Sequence, residues 1–209
     1  MEKLIEFLES RHSVREYTDR KIEDDKRAVI TDLINEINRE HGTHFEVYFD
    51  KPEAFTSIIA RHTMKNCQNI IVFYHNDPVE AGYYSAKIML KLHELGIATC
   101  YVGASYKKRI FEKDDQTIQC ALAFGYGANI GHPHKNKDVD KLTKVEGKKP
   151  DNFDYLVRAA MSAPTAMNLQ RFKVVSNDNQ ISVELAGIGP FAEFDLGIVR
   201  YIVDLAKKN

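Results

Sequence analysis

Ser10-Arg11-His12-Ser13-Val14-Arg15-Glu16-Tyr17 decides how this chain reads. It follows an apolar-periodic run, Leu4, Ile5, Phe7 and Leu8, which predicts a helix over residues 2–10. The stretch then sets two guanidiniums, an imidazole and two hydroxyls close together. A planar guanidinium holds several N–H donors in a fixed fork, suited to a phosphate or to the polar edge of a ring. Solvated helix ends also carry such charges, so the meaning depends on the rest of the chain.

Three other stretches bear on it. Ser162-Ala163-Pro164-Thr165-Ala166-Met167-Asn168-Leu169-Gln170 closes a helix expected over 153–162. A proline-fixed turn there exposes backbone amides, a hydroxyl and two carboxamides, which hydrogen-bond a polar partner without adding charge. Leu95-Gly96-Ile97-Ala98-Thr99-Cys100-Tyr101-Val102-Gly103-Ala104 leaves the strongest predicted helix, 79–95, and passes through a short strand into Gly103. Phe124-Gly125-Tyr126-Gly127 precedes a lysine-rich stretch carrying Lys135 and Lys137. The Gly-x-Gly there lacks the full dinucleotide fingerprint.

Taken together, the four stretches resemble the signatures of the nitroreductase-like FMN-dependent oxidoreductases. Arg-x-Ser-x-Arg followed by an aromatic is similar to the family's opening segment. The 162–170 stretch resembles its Ala-Pro-Ser-Ala-x-Asn-x-Gln-Pro-Trp motif, with Thr165 for Ser and Arg171-Phe172 for Pro-Trp. In most of the family that motif follows the opening segment closely. Here it lies near residue 165, an order that resembles the smaller, rearranged TM-nitroreductase branch.

The resemblance implies an α+β sandwich of the nitroreductase type, with a mixed, mainly antiparallel sheet flanked by helices and one domain over 1–209. It implies FMN held by Arg11, His12, Ser13, Arg15, Tyr101, Val102, Gly103, Ala104, Lys135, Lys137, Pro164, Thr165, Ala166, Asn168 and Gln170. Arg11, Ser13 and one of the two lysines would take the phosphate. Arg15 would sit beside flavin N1/O2, and the backbone at Gly103 or Ala104 would approach N5. NADH or NADPH would give a hydride to N5, which passes to a small acceptor such as a nitroaromatic or quinone. No protein acid or base is required, so no catalytic residue is named. The family forms homodimers with flavin at the interface, which places Pro164, Thr165, Ala166 and Asn168 on a partner subunit. The alternative is a flavin-binding or flavin-scavenging protein without efficient turnover.

Composition bounds the remaining classes. The chain has 209 residues, with 29 Lys+Arg against 30 Asp+Glu, a balance that argues against a nucleic-acid or anionic-membrane binder. Cys67, Cys100 and Cys120 are widely spaced and odd in number, which excludes a closed disulfide framework and suits reduced core thiols. No apolar run spans a bilayer and no secretory signal is visible, so the cytosol is expected. His132 and His134 read as part of a polar loop and not as metal ligands. Helices are also expected over 24–41 and 194–207, strands over 45–49, 69–74 and 98–102, and a hairpin from 172–176 to 181–185. Residues 131–149 read as loop.

Overall fold

The computed structural model describes residues 1–209. Helix α1 spans Glu2–Ser10 and buries Ile5 and Leu8. Helix α2, Asp24–His41, buries Ile30, Ile34 and Ile37 and stops at Gly42, which takes the left-handed conformation at φ +62°. Strand β1 is His44–Tyr48, helix α3 is Ile58–Thr63 and strand β2 is Asn69–Tyr74. Helix α4, Pro78–Glu94, has a built start: the Asp77 carboxylate accepts from Val79 N and Glu80 N, and Pro78 occupies the first turn. Strands β3, Ala98–Val102, and β4, Ile118–Gly125, follow. The second half holds α5 (Val139–Leu142), β5 (Thr143–Glu146), α6 (Phe153–Met161), β6 (Phe172–Asn177), β7 (Gln180–Leu185) and α7 (Ala192–Lys207).

Two sheets result. The larger runs β1-β2-β4-β3 and is antiparallel throughout; the smaller runs β5-β6-β7, with β5 parallel to β6 and β6 antiparallel to β7. Every residue of β2 is buried because each face meets its own core. Ile71 and Phe73 point with Leu122 and Phe124 into the larger core, which also takes in Ile5 near one terminus and Ala206 near the other. Ile70, Val72 and Tyr74 point with Ala121 and Ala123 into the second core, under Phe55, Ala60 and Phe111.

Helices α4 and α7 pack closely against each other and join the two sheets. The small residues of α4 permit this approach. A Cβ on Gly82 would lie 1.9 Å from the Phe194 carbonyl oxygen, and one on Gly197 would lie 2.0 Å from that of Val79. Ser85 is fully buried and hydrogen-bonds Gly82 O at 2.8 Å. This small-residue stripe is therefore occupied within the chain.

The expected helices and strands form with shifts of a few residues at their ends. Strand β4 was not set out in the sequence, and the short helices α3 and α5 and strand β5 were not legible, α5 and β5 lying inside the stretch read as loop. Helix α3 has one buried residue, Ala60, and too short an apolar pattern to register. Strand β5 leaves no pattern because its residues Thr-Lys-Val-Glu are mostly exposed and its pairing with β6 is long-range. No helix is long and apolar enough to cross a membrane.

Candidate functional site

Residues 13–18 run alongside the edge of the larger sheet. Val14 N donates to Thr99 O at 3.0 Å, Tyr17 N to Lys65 O at 3.0 Å and Thr18 N to Tyr126 O at 2.8 Å. Tyr17 fixes the bend: its buried hydroxyl donates to Val14 O at 2.7 Å, and its ring lies over Gly125, where a Cβ would meet it at 3.0 Å. These contacts hold Ser13 and Arg15 beside the end of β3.

The Pro164 segment reaches the same place in the same chain. Ser13, Arg15, Cys100–Ser105, Pro164–Met167 and Pro190–Phe191, with Phe194 and Asp195, wall a cavity of about 320 Å³. That volume lies within the range of small-molecule sites, and the lining mixes apolar walls with a few polar groups. The resemblance implies that residues 164–168 arrive from a partner subunit, whereas residues 164–167 of this chain line one cavity with its own Arg15. α6 ends at Met161 beside the start of α7, so its exit turn meets the Arg15 segment without a second copy. A larger cleft of about 430 Å³ lies beyond Pro190–Phe194, but it holds neither arginine of the opening segment.

Not every expected residue lines the cavity. Ser13, Arg15, Tyr101, Val102, Gly103, Ala104, Pro164, Thr165 and Ala166 do. Arg11 and His12 instead face a neighbouring cleft of about 250 Å³, together with His134, Asn136, Arg158 and Ser162. Because Ser13 follows His12 and Pro164 lies two residues after Ser162, the two clefts flank the same pair of segments. Arg11 is 5% exposed and has no carboxylate partner, and burial lowers its pKa. The His12 imidazole is also held below its usual value, by burial first and then by Arg11, His134 and His132. An unpaired buried guanidinium among imidazoles is suited to an anion.

Lys137 and the two carboxamides have other work, whereas Lys135 contributes only its backbone carbonyl. Lys137 Nζ donates to the carbonyls of Leu169 at 2.5 Å and Gln170 at 3.1 Å. Asn168 Nδ2 donates to Lys135 O at 2.6 Å. Gln170, buried, accepts from Lys137 N at 2.7 Å and donates to Asn136 Oδ1 at 2.8 Å. Lys135, Lys137, Asn168 and Gln170 thus tie the 131–137 loop to the 163–170 turn and do not line the cavity. The tie supports strained backbone: Met167, Asn168 and Gln170 all have positive φ, at 51°, 54° and 42°.

Among the cavity residues missed in the sequence are Phe191 and Asp195. Phe191 (φ +62°) sets its ring against Gly103, where a Cβ would lie 2.3 Å from Phe191 Cζ. Only glycine fits beneath that ring. Asp195, in the first turn of α7, is 8% exposed, and its Oδ2 accepts from Ala166 N at 2.8 Å. Burial pushes its carboxyl up to about 7, against the opposing pull of the Ala166 hydrogen bond and the charge of Arg171. The signal was present: Asp195 shares a helical stripe with Ile198, Val199 and Ile202, a carboxylate on an apolar face.

A family model described as "Putative TM nitroreductase" matches residues 3–207. The chain belongs to this nitroreductase family. No curated protein matches it in sequence. Among solved structures, a "putative nitroreductase" from Thermotoga maritima MSB8 superposes with a TM-score of 0.70 at 19% identity, covering 98% of this chain and 83% of that one. A "putative nitroreductase in complex with FMN" from Desulfovibrio desulfuricans gives 0.53 at 21% identity, covering 70% and 98%. A nitroreductase-like protein from Streptococcus mutans gives 0.56 at 13% identity, covering 68% and 96%. These likenesses establish the α+β nitroreductase fold. The Thermotoga structure matches this chain almost from end to end, whereas the other two correspond to about two thirds of it.

Proposed function

We propose that the protein is an FMN-dependent NAD(P)H oxidoreductase that passes a hydride to a small acceptor such as a nitroaromatic or quinone. The observation that carries this reading is the convergence, in one chain of the nitroreductase family, of a free Arg15 guanidinium, the Gly103–Ala104 backbone and the Pro164–Ala166 turn on one cavity.

The residues fit the cofactor. Arg11, which has no ion pair, would take its phosphate in the cleft it shares with His12 and His134, where Arg158 is already paired with Glu9 and Glu2. The mainly apolar cavity next to it suits the ring, and Arg15 has no ion pair to break before it meets a developing negative charge. Bound FMN would supply N5 as the atom that takes and gives hydride. Gly103 lets backbone come close to that atom, and Arg15 stabilises charge at the ring's pyrimidine edge. Pro164, Thr165 and Ala166 close the opposite side. Both halves of this cavity come from one chain.

A second reading, a flavin holder with slow turnover, is favoured by Phe191, whose ring covers Gly103 where N5 would be approached. One experiment separates the two. The purified protein is analysed for flavin released on denaturation, then mixed anaerobically with NADH or NADPH in a stopped-flow instrument. FMN bleached within seconds supports the reductase. Bound FMN that neither nucleotide bleaches supports the holder, and release of FAD, or of no flavin after reconstitution with FMN, refutes both.

A further inference from the structure

We propose that Asp195 is the proton donor of the acceptor half-reaction, giving its carboxyl proton to the acceptor as hydride arrives from the cofactor. The inference rests on the reductase reading and adds to it an acid that the sequence did not show.

The geometry selects this side chain. Asp195 shares the cavity wall with Arg15, Gly103 and Ala166, so whatever occupies the cavity meets it. Its Oδ2 is already engaged by Ala166 N. Its Oδ1 has no protein partner, and it is not walled in, since the sealed side-chain atoms without a partner are Gln116 Oε1 and Tyr155 OH. A carboxyl with one oxygen fixed as acceptor and the other open to the cavity carries its proton on the open oxygen. No lysine, arginine or histidine forms an ion pair with it.

The ionisable groups around it do not change that state. Tyr101 from β3 and Cys120 from β4 face it, and burial raises the pKa of both, so both are neutral. Arg171 acts at longer range and only partly opposes burial, while Arg15 lies across the cavity. The first turn of α7 favours the anion, but the dry environment outweighs it.

The chemistry balances. A quinone that takes hydride gains two electrons and one proton, and its oxygen is left negative. The Asp195 O–H bond breaks, a new O–H bond forms on that oxygen, and hydroquinone leaves. Asp195 remains as carboxylate and is reprotonated from solvent. A buried neutral acid is placed to do this where bulk water is excluded.

Two measurements test the proposal. Infrared spectra of the apo protein should show a protonated-carboxyl C=O band that fades as pH rises through neutrality and that Asp195→Asn lacks. In single turnovers, FMN-loaded protein already reduced is mixed with benzoquinone. The wild-type rate should fall above neutral pH, and Asp195→Asn should be about 10²-fold slower at pH 6 and flat with pH. Wild type alone decides if the variant does not fold: no titrating band, or a rate without pH dependence, overturns the proposal. Equal rates for a folded variant that binds FMN normally also overturn it, leaving the reductase reading intact. Failure of wild type to bind FMN removes both.

Discussion

Gly82 and Gly197 face each other where α4 crosses α7, and a Cβ on Gly82 would come within 3.2 Å of Gly197 Cα. The same Cβ would overlap the Phe194 carbonyl at 1.9 Å, backbone against backbone. No side-chain rotation relieves such a contact, so the helices must separate.

Gly82→Ala should therefore destabilise the protein by about 3 kcal/mol, although alanine is the better helix former. Separation of α7 also moves Phe194 and Asp195 on the cavity wall. Urea denaturation should show a lower midpoint, with FMN affinity falling in parallel. A variant as stable as wild type would show that this crossing is not tightly packed.

Asp195 gives a stability prediction that needs no cofactor. Its carboxyl titrates near 3.8 when unfolded and is pushed up to about 7 when folded. The folded state thus binds the proton more tightly, and its contribution to stability is full below pH 4. It declines between pH 4 and 7 and is gone above that range. Asparagine does not ionise and keeps the Ala166 N partner. Asp195→Asn should match wild type near pH 4 and exceed it at pH 8 by about 2–4 kcal/mol. Denaturation across that range checks the sign, and a variant less stable at pH 8 contradicts it.

Much of this architecture was legible because local pattern and tertiary environment agree. The β2 run Asn69–Tyr74 is uniformly apolar since both of its faces are covered, and α4 has its small residues where α7 approaches. The opening arginine segment and the Pro164 turn were read from their resemblance to the family's motifs. Less legible was the use made of polar groups. Lys137, Asn168 and Gln170 look like free ligands in sequence, yet each bonds backbone or a neighbouring amide across about 30 residues of chain. Periodicity carries no record of such long-range pairing. Nor does it tell whether a motif is completed by the same chain or by a partner.

Phe191 tests the gating of the cavity. Its ring occupies the space above Gly103 through which N5 and a nicotinamide would be approached. Phe191→Ala should speed reduction of bound FMN by NAD(P)H in the stopped-flow experiment, with some loss of stability from the lost packing. Slower reduction would make the ring part of the nicotinamide platform and not a cover.

Arg15 should act on the potential more than on binding. It has no ion pair and faces the cavity, and negative charge at the ring's edge is present only after reduction. Arg15→Ala should thus weaken the reduced form more than the oxidised one and lower the midpoint potential. A loss of about 1.4 kcal/mol corresponds to roughly 30 mV for a two-electron couple. Redox titration of both proteins with FMN bound measures it. An unchanged potential with both redox forms equally weakened would place Arg15 at the phosphate.

Arg11 and Lys137 separate anion binding from structural support, because both are cations near the same segments and only one is unpaired. Burial without a counter-charge makes Arg11 a burden on the empty protein, and its lowered pKa records that strain. Arg11→Met keeps the aliphatic bulk and removes the charge. Thermal unfolding of the apo protein should be unchanged or shifted upward, while FMN binding weakens by roughly 1.5–3 kcal/mol, the loss of a charged hydrogen bond. Riboflavin, which lacks the phosphate, should bind wild type and Arg11→Met alike. Lys137→Met should do the reverse. It frees the Leu169 and Gln170 carbonyls that hold three left-handed residues in place, so apo stability falls by about 1–2 kcal/mol. FMN and riboflavin should then weaken together, because the turn loosens under the ring and the phosphate contact is untouched. If Lys137→Met instead weakens FMN alone, the ammonium leaves its carbonyls to meet the phosphate, and the cationic cleft at Arg11 and His12 is not the anchor.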